Sequence, residues 1–242
     1  MKTNHSSAIN NVLAALLLLE VIAVLFPFFV LGSVFDFPDI LRQPAAKAFA
    51  LFQQNKGVIV PTYYLFLVSA LLYFPLASLL KTRFISDTKN AAWLDIMYVA
   101  GIATGVFQAI GFSRWIIAMP FLTEQYVNGN QTETIGLLYE WINRFVGTTV
   151  GEHLGFLAMG FWMMALSFAI QGSKWFKTAG VIIGVLLIAS TLEHFGGPIA
   201  AIFATLNVIA NVFWSIWMVI FAIQLFKFEK TGIHRGAIKL EV

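Results

Sequence analysis

Cysteine is absent from the 242 residues. That excludes disulfides, thiolate metal centres and thiol nucleophiles, and several enzyme classes with them. Charge is also scarce: Asp, Glu, Lys and Arg make up 11% of the chain, against roughly 25% in a soluble domain. Nor is there a glycine-rich phosphate loop, a nucleophile elbow or a paired-carboxylate hydrolase pattern. No polar stretch is long enough for a soluble catalytic domain.

What fills the chain instead is apolar. Hydrophobic residues account for 59% of it, and the mean hydropathy is +0.81. This composition predicts a polytopic, all-α membrane protein forming one domain over residues 1–242, with the lipid bilayer as its first partner. A helical span needs about 20 mostly apolar residues. On that measure six spans are expected, near 11–34, 58–80, 92–121, 148–171, 178–196 and 203–226. The first is expected to be retained: residues 1–10 are weakly basic, Glu20 interrupts the apolar run, and no small-residue cleavage site follows.

The net charge of +3 and pI near 9.2 do not point to nucleic acid, because the basic residues lie in short segments between spans. They set orientation instead. Lys2, Lys81, Arg83, Lys89, Lys174, Lys177, Lys227, Lys230, Arg235 and Lys239 fall on one side, and Arg42, Lys47, Lys56 and Arg144 on the other. The positive-inside rule then predicts a multi-pass protein of the cell membrane with both termini cytoplasmic. Asn130-Gln131-Thr132 makes an outer glycosylation sequon, which matters only in a eukaryotic secretory pathway.

Two outer segments are more than turns. The run Ala45 to Phe52 has the makings of a short interfacial helix. Over 132–147, Ile135, Leu138, Ile142 and Phe145 recur at helical spacing, with Glu140 and Arg144 at i,i+4. This predicts a short amphipathic helix leading into span four, as a surface lid or a ligand gate. Glycines recur every fourth residue at Gly147, Gly151 and Gly155, at Gly101 and Gly105, and at Gly180 and Gly184. That spacing lets helices approach closely and predicts packing among spans three, four and five. Gly196-Gly197-Pro198 is a turn signal between spans five and six.

Against this apolar background stand two Glu-His pairs, Glu152-His153 and Glu193-His194. Ionisable groups at membrane depth are expensive and face a protein interior or a wet cavity, with a partner. At about 1.5 Å per residue, Arg114 falls about 9 Å before Pro120, His153 about 8 Å after Thr148 and Glu193 about 6 Å before Gly197. Spans three, four and five alternate in direction, which places Arg114, Glu152, His153, Glu193 and His194 in one layer of the outer half. Asn207 and Asn211 join it, whereas Glu20 lies nearer the middle of span one.

Neighbouring residues on a helix project about 100° apart, so neither Glu-His pair is expected to close on itself. Arg114 is expected to neutralise Glu152 or Glu193. Such a layer serves first as a structural clamp, and alternatively as a site for a small molecule or ion, a proton relay included. A nitrogen-oxygen metal centre and a haem between His153 and His194 are sharper alternatives that would make the protein an enzyme. No recognised metal motif supports them, and no cofactor, reaction or catalytic residue is assigned. His5 and His234 sit in the tails with no specific role. Trp115, Trp141, Trp162, Trp175, Trp214 and Trp217, with Tyr63, Tyr64, Tyr126 and Tyr139, lie largely near span ends, where such rings anchor to headgroups. Trp162 and Trp214 look deeper.

The chain resembles the bacterial multi-pass membrane proteins grouped as domain of unknown function family 4386. The resemblance is carried by Arg114-Trp115 with Pro120 and Leu122, by Gly151-Glu152-His153-Leu154-Gly155 and Trp162, and by Trp175, Gly180, Gly184, Trp214 and Trp217. It covers roughly residues 92–226 and implies a small integral membrane protein without an assigned reaction.

Overall fold

A computed structural model describes residues 2–85, 91–129 and 131–230. Lys89, Asn130 of the sequon, His234, Arg235 and Lys239 lie outside the described residues, as do the side chains of Lys2, His5 and Lys230. Among the described residues all regular structure is helical. The six long helices are α1 (Lys2–Val34), α2 (Ala45–Phe84), α3 (Ala91–Val127), α4 (Thr132–Ala169), α5 (Lys174–Ser190) and α6 (Ala200–Lys230). Each of the six contains a stretch long and apolar enough to cross a membrane.

A long apolar helix covers each expected span, and several of these helices are longer than hydropathy alone indicates. Helix α2 begins at Ala45, so the run to Phe52 is its first two turns and not a separate interfacial helix. Ala45, Ala48, Phe49 and Phe52 are buried. Asn55 interrupts the helical backbone (φ −121°, ψ 17°), and its amide donates to the Val34 carbonyl at 2.9 Å. The same amide lies 3.4 Å from the Leu51 carbonyl one turn back, and side-chain competition for a carbonyl of the helix's own ladder is a usual cause of a kink.

Helix α3 continues past Pro120 to Val127, through a π-helical stretch at Arg114–Ala118. Helix α4 starts with the expected amphipathic segment, Thr132–Ile142, and runs on through a second π stretch at Asn143–Leu154. Within it Tyr139 is buried, while Leu138 and Phe145 are exposed. No ion pair joins Glu140 to Arg144 among the described residues. Helix α5 ends in a 3-10 turn, Thr191–Phe195, and Gly196 and Gly197 both take positive φ (74° and 77°). They thus form the turn that the Gly-Gly-Pro signal indicates.

The helices divide into two compact units, described separately. One comprises Met1–Val21, Leu72–Gly105 and Gly155–Val242; here α5 packs against the second half of α4 and against α6. Phe176 stacks on Trp217 at 4.5 Å, and the Trp217 indole donates to the Phe176 carbonyl at 3.0 Å. The other unit comprises Ile22–Leu71 and Val106–Leu154. Its core joins Leu31, Phe35, Ile40, Phe49, Phe52 and Trp115, so the segment between α1 and α2 folds inward and is not a loose loop.

Candidate functional site

Arg114 opens the π stretch of α3 and is only 7% exposed. A π turn adds a residue to the ladder and re-aims the side chains around it, which is why such turns recur at functional sites. The guanidinium Nη1 donates to the Gly111 carbonyl at 2.5 Å, and Nη2 donates to Asn143 Oδ1 at 3.2 Å. The Asn143 amide in turn donates to the Leu41 carbonyl at 2.6 Å. The guanidinium also sits over the Trp115 ring, 5.4 Å from its centroid.

Both acceptors of Arg114 are neutral. The expected neutralisation of Glu152 by Arg114 is not what this unit builds: Arg42 Nη2 donates to Glu152 Oε2 at 2.6 Å, with Nη1 3.4 Å from Oε1. Arg42 reaches Glu152 because Ile40 and Leu41, buried in the core, pin the short turn that carries it. Glu152 still acts electrostatically on Arg114 over a longer distance. The cluster therefore sets two guanidiniums, Arg42 and Arg114, against one carboxylate.

Around Arg114 lie donors with nothing to bond. Arg114 Nε, Trp115 Nε1 and the hydroxyls of Tyr63 and Tyr139 are buried and make no hydrogen bond among the described residues. Tyr63 stacks on Trp115 at 5.3 Å, and both tyrosines lie within electrostatic reach of Arg114. The assignment of Trp115, Tyr63 and Tyr139 as headgroup anchors is thus overturned, as is that of Trp217 in the other unit, since all four are buried. Trp141, Trp175 and Tyr64 are exposed, in keeping with anchoring; Trp162 and Trp214 are buried, as expected from their depth.

Two close approaches fix this arrangement. A Cβ on Gly111 would lie 2.6 Å from Gly151 Cα, so α3 and α4 touch backbone to backbone one residue before Glu152. A Cβ on Gly147 would lie 2.5 Å from Arg114 Cζ, so the guanidinium rests on bare backbone.

A family model, Domain of unknown function (DUF4386), matches residues 12–222. The chain belongs to this family. No curated protein and no solved structure matches it. The DUF4386 match begins at residue 12, so most of α1, all of α2, Arg42 and Tyr63 lie inside the family domain, as do Glu193 and His194. The resemblance thus begins well before residue 92 and ends at residue 222.

The residues of the expected polar layer fall in both units of this DUF4386 protein. Arg114, Glu152 and His153 belong to the unit just described, with Glu152 and His153 half-buried. In the other unit, Glu193 and His194 sit in the 3-10 turn after α5, with His194 Nδ1 3.7 Å from Glu193 Oε1. The two side chains of this pair thus do approach each other, contrary to expectation. Asn211 donates to Asn207 Oδ1 at 3.1 Å, and Asn207 donates to Ser190 Oγ at 3.0 Å, tying α6 to the end of α5.

Arg42, Asn143, Tyr63 and Tyr139 are the members of the Arg114 cluster that sequence reasoning did not assign to a site. A signal existed for Asn143 alone: a polar amide followed by Arg144 where an amphipathic helix enters an apolar span.

Proposed function

We propose that this membrane protein binds a small ligand bearing an anionic oxygen group, a carboxylate or a phosphate, at the Arg114 cluster. The observation that carries the proposal is a buried guanidinium bonded only to neutral acceptors, with Nε and three neighbouring donors unused. Burying such donors without partners is costly, and an anion accepting from several of them removes that cost. Arg42, paired with Glu152, keeps the cluster positive overall. Glu152 and His153 flank the site, and Glu193, His194, Asn207 and Asn211 supply the polar group of the other unit. The site lies in the outer half of a cell-membrane protein whose termini are cytoplasmic, a placement supported by the concentration of Lys and Arg near one set of helix ends.

The test is native mass spectrometry of delipidated protein offered inorganic phosphate, acetate, an anionic phospholipid or a zwitterionic one. Binding of an anion or the anionic lipid, weakened at least about ten-fold by Arg114→Lys but not by Tyr64→Phe, supports the proposal. The two arms separate a free anion from a lipid headgroup. Binding of neither, or equal binding by Arg114→Lys, overturns it. The bare Gly147 backbone under the guanidinium favours a second reading, a structural clamp, which predicts loss of stability without any ligand.

A further inference from the structure

Glu20, in the middle of α1, is 1% exposed, and its Oε2 has no hydrogen-bond partner. No Lys, Arg or His forms an ion pair with it among the described residues. The cations of α2 that belong to the same unit are engaged elsewhere: Lys81 with Asp95 at 2.8 Å, and Arg83 Nε with Asn10 Oδ1 at 2.7 Å.

Glu20 is not surrounded only by hydrocarbon. Tyr73 on α2 is buried, its hydroxyl has no hydrogen-bond partner, and it lies within electrostatic reach of Glu20. Its ring meets Trp162 of α4 edge-on, with centroids 5.2 Å apart, and the Trp162 Nε1 is likewise buried without a partner. Trp162 is held by Gly101 of α3, where a Cβ would come within 2.9 Å of the indole Cδ1. Four helical segments of one unit thus assemble a buried carboxyl and two unused donors.

A carboxylate at membrane depth without a counter-charge is strongly disfavoured. A carboxyl among neutral donors meets this cost by taking up a positive charge from outside. The smallest that fits a packed interior is a proton: the carboxylate accepts H⁺ from water to become the neutral acid, which then donates its own O–H. We propose that Glu20, with Tyr73 within its electrostatic reach and Trp162 packed on Tyr73, is a reversible proton-binding site within the membrane. It stands independently of the anion site at Arg114.

Dicyclohexylcarbodiimide is an apolar reagent that adds to protonated carboxyls, leaving an N-acylurea that peptide mass spectrometry can locate. In the intact protein in lipid vesicles, Glu20 should be modified, with the extent falling as pH rises, and Glu20→Gln should lack the adduct. The infrared carbonyl band of a protonated acid should be present in the wild type and reduced in Glu20→Gln. Modification independent of pH, or no adduct at Glu20 together with no acid band, overturns the proposal. So does suppression by Na⁺ or K⁺ at constant pH, which would make the site one for a metal cation. The pH titration needs only the wild-type protein, so it stands if a variant fails to fold.

Discussion

Arg42 Nη2 lies 2.6 Å from Glu152 Oε2, joining the turn before α2 to the π stretch of α4 across 110 residues of sequence. Arg114, nearer Glu152 in the chain, bonds to Gly111 and Asn143 instead. Because the Arg42 side chain is 46% exposed and that of Glu152 19%, the coupling between them should be about 1 kcal/mol. A double-mutant cycle with Arg42→Gln and Glu152→Gln, followed by reversible unfolding in mixed micelles, measures it. A coupling near zero would show that the contact is not formed in the membrane.

The backbone contact between Gly111 and Gly151 makes a sharper demand. Gly151→Ala places a methyl 2.8 Å from Gly111 Cα, where nothing flexible can yield. It should cost about 1–3 kcal/mol. Gly57→Ala meets nothing within 4 Å and should be neutral or stabilising by about 0.5–1 kcal/mol through its helix propensity. Gly147→Ala should destabilise by pushing on the Arg114 guanidinium, and it should cost less in an Arg114→Met background, where that group is gone. Equal costs in the two backgrounds would place the strain elsewhere.

Orientation can be checked by introducing single cysteines at two exposed positions at opposite ends of α4, Asn128 before it and Lys174 after it. An impermeant thiol reagent added to intact cells should label Asn128→Cys and spare Lys174→Cys. The reverse pattern would put the termini outside.

The number of spans was legible because hydropathy reports it directly. Helix length was not, and Arg114 lies farther from the end of its helix than the hydropathy bounds indicated. Pro120 looked like the end of span three, yet α3 runs 13 residues beyond Arg114 to Val127, about 20 Å. Pro120 has no N–H to donate and follows closely on the π stretch, so it does not end the helix there. The same misplacement made Trp115 and Tyr63 look like anchors near span ends when they are core. Arg114 and Glu152 stood out as rare charges in apolar stretches. The partner of Glu152 did not, because Arg42 sits in a segment whose burial depends on Ile40 and Leu41 packing into a core that only the tertiary structure assembles. The two π stretches have no sequence signature comparable to a cap or a turn, so the aim of Arg114 could not be read from spacing.

The central claim, an anion held by the unused donors around Arg114, is tested most directly by calorimetric titration of delipidated protein with inorganic phosphate. Wild type should be compared with a Tyr63→Phe, Tyr139→Phe double variant. Each substitution removes one donor and leaves the ring in place, so affinity should fall roughly ten-fold per hydroxyl while thermal stability without ligand stays near wild type or rises. Phosphate binding of equal strength in wild type and double variant would contradict the account, as would no binding to either.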